Sequence, residues 1–155
     1  MLEAQYYKHD EPNTLLTSGG LGTMGFAVPA AIGAKAGKPD RMVWAIDGDG
    51  CFQMTNQELV TARLENFPVK IAVLNNGYLG MVRQWQEFFY EKRYAMSYMD
   101  ALPDFVKLAE SYGCVGIRAK TPDELDEKIK EMIEVQKPVI SVSNTHLTLP
   151  TSDLV

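Results

Sequence analysis

Met42-Val43-Trp44-Ala45-Ile46-Asp47-Gly48-Asp49-Gly50 and Val69-Lys70-Ile71-Ala72-Val73-Leu74-Asn75-Asn76 are two apolar runs rich in β-branched residues, each ending in polar, turn-forming residues. Between Gly50 and Asn75 lie 24 residues, positions 51 to 74. That length suits a turn, a helix, a second turn and a strand. Thr55-Asn56-Gln57-Glu58 has the Thr-x-x-Glu form of a capping box. Leu59, Val60, Ala62, Arg63 and Leu64 continue from it at helical spacing. The stretch therefore reads as a βαβ unit, whose parallel strands are joined by a right-handed crossover. The carboxyl ends of both strands then share one edge of the sheet, the edge where open α/β sheets bind ligands. Asp49 and Asn76 are expected to meet there.

A carboxylate and a carboxamide at such an edge supply two hard oxygen ligands. These suit Mg²⁺, which is often held by one or two protein groups plus phosphate oxygens. The glycines flanking Asp49 let main-chain N–H groups approach a phosphate closely. Gly-Asp-Gly alone reads first as a tight reversal after a strand. Asn75-Asn76 at the end of the next strand turns the reading toward a metal–diphosphate site.

Upstream, Thr14-Leu15-Leu16-Thr17 reads as a short strand. Gly20-Leu21-Gly22-Thr23-Met24-Gly25 matches GxGxxG, and a helix is expected from about Phe26 to Ala36 with Pro29 in its first turn. Strand, GxGxxG, helix, then the strand Met42–Ile46 ending in Asp47 is also the fingerprint of a dinucleotide-binding unit. Two features oppose that alternative. Met24 places a long side chain where the backbone should hug a pyrophosphate, and Gly48-Asp49-Gly50 and Asn75-Asn76 are left unused. An EF-hand loop starting at Asp47 would place Asp49 and Glu58 correctly. It would also put Phe52 where a glycine is required, after a strand instead of a helix.

Downstream, a helix starting at Gly80 carries Met81, Val82, Trp85, Phe88 and Phe89 as an apolar stripe. Such a stripe is usually core; next to a metal site, part of it can line a substrate pocket. Residues 90–102 are rich in Tyr and Met without clear periodicity and read as a long loop, a candidate lid. Asp104 starts a helix that Gly113 ends. Val115-Gly116-Ile117 is a strand, and Thr121-Pro122 opens a helix running to about Gln136. The Glu/Lys-rich face of that helix is solvated surface. Pro138–Val142 is the final strand.

The chain has 155 residues, 46% of them apolar and 23% charged, which fits one soluble domain. A net charge of −5 with scattered Lys and Arg excludes an evident nucleic-acid or polybasic membrane surface. Cys51 and Cys114 lack CxxC spacing and point to a reducing compartment. No apolar run approaches a membrane span and no signal peptide opens the chain, so a cytoplasmic protein is expected. His9 and His146 are the only histidines, which disfavours a His-based triad or zinc site.

Thr17-Ser18-Gly19-Gly20-Leu21-Gly22-Thr23-Met24-Gly25, Pro29-Ala30-Ala31-Ile32-Gly33-Ala34 and Asn75-Asn76-Gly77-Tyr78-Leu79-Gly80-Met81-Val82-Arg83-Gln84-Trp85-Gln86 together carry a family resemblance. With Gly-Asp-Gly, 24 residues and Asn-Asn, the chain resembles the diphosphate-binding domain of thiamine diphosphate enzymes. Within them it is most similar to the catalytic subunit of acetohydroxyacid synthase (acetolactate synthase), over roughly residues 4 to 142. The resemblance implies a three-layer α/β/α fold with a mainly parallel sheet of five or six strands. It implies decarboxylation of pyruvate and transfer of the two-carbon unit to a second 2-oxo acid, in branched-chain amino acid biosynthesis. Another thiamine diphosphate-dependent decarboxylase or carboligase, such as glyoxylate carboligase, is the alternative within the superfamily; Gln84-Trp85-Gln86 disfavours it. A non-catalytic dinucleotide-binding module is the alternative outside it.

By the same resemblance, Asp49, the Asn76 side chain and the Tyr78 main-chain carbonyl ligate Mg²⁺. Gly48, Gly50 and Cys51 lie along the diphosphate, Cys51 standing where Ser or Ala is common. Gly22 offers a carbonyl to the aminopyrimidine beside Thr23, and Met24 wedges between the two rings. Leu79, Gly80 and Met81 border the cofactor, and Trp85 shapes the pocket of the second oxo acid. The Glu that activates the aminopyrimidine is expected on a partner catalytic subunit. FAD belongs to the complete, oligomeric enzyme, which can carry a small regulatory subunit. Residues 1–142 are expected to be one domain of a longer chain, inactive alone, and 143–155 a foreign tail.

Overall fold

The computed structural model describes residues 6–144. Its centre is a parallel sheet in the order β1-β2-β4-β3, made of β1 (Trp44–Gly48), β2 (Lys70–Asn75), β3 (Val115–Ala119) and β4 (Val139–Asn144). Around it lie α1 (Ala27–Gly37), α2 (Asp49–Thr55), α3 (Leu59–Leu64), α4 (Gly80–Phe89), α5 (Phe105–Ser111) and α6 (Pro122–Glu134). Strands buried on both faces read as continuous apolar runs, as in Ile71-Ala72-Val73 of β2. The register pairs Ala45 with Ile71 and Ile71 with Ile140. Those residues share a face and form the main core with Val28 and Ile32 of α1, Phe52 of α2, Leu59 of α3 and Phe105 of α5. On the other face Ile117 and Val139 pack with Met132 of α6. The result is the expected three-layer α/β/α arrangement.

The sheet has four strands among the described residues, against the five or six expected. Thr14–Thr17 forms none, and Leu16 stays exposed. At the other end β4 runs on through Ser143 and Asn144, past the end expected at Val142, because Leu74 and Asn75 of β2 offer them a ladder. The rest of the expected tail, 145–155, and with it His146, lies outside the described residues.

β1, α2, α3 and β2 form the βαβ unit, but its helix begins six residues before the expected capping box. Asp49 is already helical, directly after Gly48. Thr55 ends α2, and Asn56–Glu58 form a 3-10 turn before α3. The Thr55 hydroxyl does not cap; it donates to Gly25 O at 2.9 Å. Two other local signals hold, while Thr121 precedes α6 without a side-chain cap. Asp104 accepts from the N–H groups of Val106 and Lys107 at the start of α5, and Gly113 follows α5 at φ +72°. Lys35 and Lys70 are buried, donating to the carbonyls of Pro39 and Arg41 and of Val135 respectively. They tie loops at the opposite end of the sheet from the site.

Candidate metal and diphosphate site

Gly48 pairs with Leu74 in register, so the chain leaves β1 beside the end of β2. Asp49 is 1% exposed there. Its Oδ1 accepts from Gly50 N–H at 2.7 Å, and its Oδ2 accepts from Gly77 N–H at 2.6 Å. One carboxylate thus ties together the two strand ends that the sequence singles out. Gly77, at φ +66°, makes the turn that presents its N–H. The Asn76 carboxamide oxygen accepts from Tyr78 N–H at 2.9 Å, a local side-chain turn of the Asx kind.

Residues 97–99 then pair antiparallel with 77–79. Leu79 N–H donates to Ser97 O and Met99 N–H to Gly77 O, both at 2.8 Å, around a bridge between Tyr78 and Tyr98. Main-chain groups alternate sides along an extended segment. The Tyr78 N–H and carbonyl therefore face away from 97–99, on the side of the Asn76 side chain. Asp49 is thereby linked, through Gly77, to the turn that carries Asn76 and Tyr78.

The electrostatics at this strand end ask for a cation. Burial raises the Asp49 carboxyl above its ordinary range, against the pull of its backbone hydrogen bonds. Burial likewise pushes Asp47 up to about 6, and its Oδ2 has no partner among the described residues. No ion pair within the described residues reaches either carboxylate. Buried carboxylates without a counter-charge are costly, so a divalent cation fits the site. The described residues contain no group of three or more His, Cys, Asp or Glu that could hold a metal. The donor set here is carboxylate, carboxamide and carbonyl, all hard oxygens, which suits Mg²⁺.

A Cβ on Gly50 would lie 2.7 Å from Leu79 Cδ2 and 3.3 Å from Met99 Cε, so the ends of those two side chains would have to shift to admit one. Beside Gly48 and Gly22 the space is open. Gly80 would meet Asn76 Nδ2 at 3.6 Å, an ordinary contact. The glycine loop folds back on Ser18, which accepts from Gly22 N–H through its carbonyl (2.7 Å) and from Thr23 N–H through its hydroxyl (3.0 Å). Met24 is half-buried between this turn and Gly25. Cys51 is half-buried under the loop, its thiol pushed up by burial and by Asp47.

No residue of α4 is buried. Its apolar stripe is therefore not core: Trp85 is 56% and Phe89 74% exposed. Val82, Trp85 and Gln86 line a groove of about 430 Å³ with Tyr90 and Arg93. Met81 is exposed on the same helix. The structure also shows contributors that sequence reasoning passed over: Gly77, Ser97, Met99 and Thr55. Asn76-Gly77, a turn-forming dipeptide, is the signal that could have marked Gly77; Ser97 and Met99 sit in a stretch with none.

Fold and site define a metal-assisted, diphosphate-binding α/β domain. Residues 1–142 match the family described as "Thiamine pyrophosphate enzyme, C-terminal TPP binding domain". The chain belongs to that family, and the dinucleotide-binding alternative falls with it. It is 57% identical to the acetolactate synthase large subunit of Corynebacterium glutamicum, over 90% of this chain and 23% of that one. It is 52% identical to the acetolactate synthase of Mycobacterium leprae, again over 90% and 23%. It is also 52% identical to the acetolactate synthase isozyme 3 large subunit of Escherichia coli, over 86% and 23%. The chain thus spans less than a quarter of the length of these relatives.

Proposed function

We propose that this chain is the diphosphate- and Mg²⁺-binding part of an acetolactate synthase large subunit. The whole enzyme would decarboxylate pyruvate and join the two-carbon unit to a second 2-oxo acid, in branched-chain amino acid biosynthesis. The observation that carries the reading is Asp49, a buried carboxylate bridging the ends of two adjacent parallel strands beside Asn76. The identities to acetolactate synthases support the choice of reaction.

Asp49, the Asn76 side chain and the Tyr78 carbonyl would hold the metal. Gly48, Gly50 and Cys51 would line the diphosphate. The Gly22 carbonyl would accept from the aminopyrimidine beside Thr23, and Met24 would press between the rings. Leu79, Gly80 and Met81 would close the near side. When bound, thiamine diphosphate supplies the carbon nucleophile and the electron sink; the protein's residues orient it and exclude water.

The exposed stripe of α4 supports contact with other parts of the enzyme, including a second catalytic subunit. A small regulatory subunit and FAD belong to the same proposal for the complete protein, as does a cytoplasmic location. No described helix is long and apolar enough to cross a membrane. The 155 residues alone would not turn over pyruvate, since the base for the far ring is proposed on a partner subunit.

Trp85 tests the acceptor assignment. In the holoenzyme, Trp85→Leu is expected to change the preference for 2-oxobutyrate over pyruvate as acceptor. A pocket contact altered by a methylene or so is worth about 1–3 kcal/mol of discrimination. Competition between the two acceptors should show the shift; an unaltered product ratio removes Trp85 from the pocket.

A further inference from the structure

We propose that Thr55 is a positioning residue for Met24, fixing the glycine loop at a set place relative to Asp49. The inference rests on the reading above, in which Asp49 anchors the metal and Met24 bends the cofactor. It starts from a hydroxyl that the sequence assigned to a capping box. In the structure that hydroxyl leaves its own helix and donates to Gly25 O at 2.9 Å, across 30 residues of sequence.

Gly25 follows Met24 directly and is buried. Its carbonyl is held by Thr55. Thr55 belongs to α2, the helix that begins at Asp49. Contact is close enough to exclude any side chain. A Cβ on Gly25 would lie 2.9 Å from Thr55 Cγ2 and 3.0 Å from Met54 Cβ, and the φ of +80° favours glycine as well. At the other end of the loop Ser18 holds the N–H groups of Gly22 and Thr23. Only Met24 lies between Thr23, held by Ser18, and Gly25, held by Thr55.

A short helix is a rigid spacer, rising about 1.5 Å per residue. With Asp49 at its start and Thr55 at its end, α2 converts the position of the metal-binding carboxylate into the position of the loop backbone at Met24. The diphosphate end of the site and the wedge are then set by one element. Cofactor could still bind by its diphosphate if the clamp were lost, but the wedge would no longer be held in register.

The test is a split between cofactor affinity and turnover in the holoenzyme, assayed with pyruvate, Mg²⁺ and thiamine diphosphate. Thr55→Val keeps the shape and removes the hydroxyl; Thr55→Ser keeps the hydroxyl. Small misplacements at a reacting centre cost up to about 10²-fold. Thr55→Val is expected to lower kcat about tenfold or more, with the half-saturating cofactor concentration within about threefold of wild type. Thr55→Ser should restore turnover. Because Thr55 acts through Met24, the Thr55→Val/Met24→Ala double variant should turn over no more slowly than Met24→Ala alone.

Wild-type kcat in Thr55→Val, a parallel loss of affinity and kcat, or additive effects in the double variant would each overturn the proposal. Ser18→Ala loosens the far anchor at a half-buried position and serves should Thr55→Val not fold. It should show the same loss confined to kcat, and an unchanged kcat overturns the proposal. Asp49→Ala separates this inference from the reading beneath it. Normal cofactor binding in Asp49→Ala sinks the metal site itself; lost binding there with an unaffected Thr55→Val sinks only the clamp.

Discussion

Replacing Asp49 by Ala is expected to cut Mg²⁺-dependent thiamine diphosphate affinity on the order of 10²–10⁴-fold, because removing one member of a buried charge pair costs about 3–5 kcal/mol. Two further losses follow from the geometry. Gly50 N–H and Gly77 N–H both lose their acceptor, and with it the tie between β1 and β2. Asp49→Asn is the informative companion. Its carboxamide has one acceptor oxygen, so it can take one of the two N–H groups while its NH₂ is turned against the other. Affinity should fall for the Asn variant too, and neither should regain it at raised diphosphate concentration without Mg²⁺. The check is an equilibrium titration of cofactor at fixed Mg²⁺. Affinities within threefold of wild type in both variants would falsify the metal assignment.

The parts of the fold that were legible in the sequence are those set by local chemistry. Asp104, Gly113 and Pro122 mark helix ends because a cap, a left-handed residue and a missing N–H act within a turn of where they stand. The two strand ends were legible because each couples a continuous apolar run to turn residues, and parallel pairing then forces them to one edge. Thr55 shows where such reasoning stops. Thr-x-x-Glu is a valid cap signal, yet a partner 30 residues away takes the hydroxyl, and nothing local announces Gly25 O.

The stripe on α4 stopped being legible for a different reason. Periodicity reports that a helix has an apolar face; it does not report what covers that face. Among the described residues none of that face is buried, although Met81, Trp85 and Phe88 have the spacing of a core helix. In the site, the residue types at Asp49 and Asn76 carry their chemistry in plain view. The supporting segment 97–99 does not, since main-chain pairing depends on backbone position and leaves no mark in side-chain identity.

Phe52→Ala is expected to cost about 3–5 kcal/mol, the usual range for truncating a buried aromatic. Phe52 is fully buried, in edge-on contact with Phe105 at 5.5 Å between ring centroids. It lies on α2 between Asp49 and Thr55, so its ring is the apolar anchor of the one element that carries the carboxylate proposed to bind the metal and that holds Gly25 through Thr55. A cavity beneath α2 should therefore be felt as function as well as stability. Amides of α2 and β1 should exchange with solvent on the order of 10²-fold faster or more, at about 1.4 kcal/mol per tenfold. Cofactor affinity and turnover should fall together, in contrast to the split expected of Thr55→Val. Phe52→Leu, which leaves a smaller cavity, should recover most of the protection and most of the affinity. Exchange in Phe52→Ala that accelerates on α5 but not on α2 would show that the ring anchors Phe105 alone. The placement of Asp49 would then have to come from its own hydrogen bonds to Gly50 and Gly77.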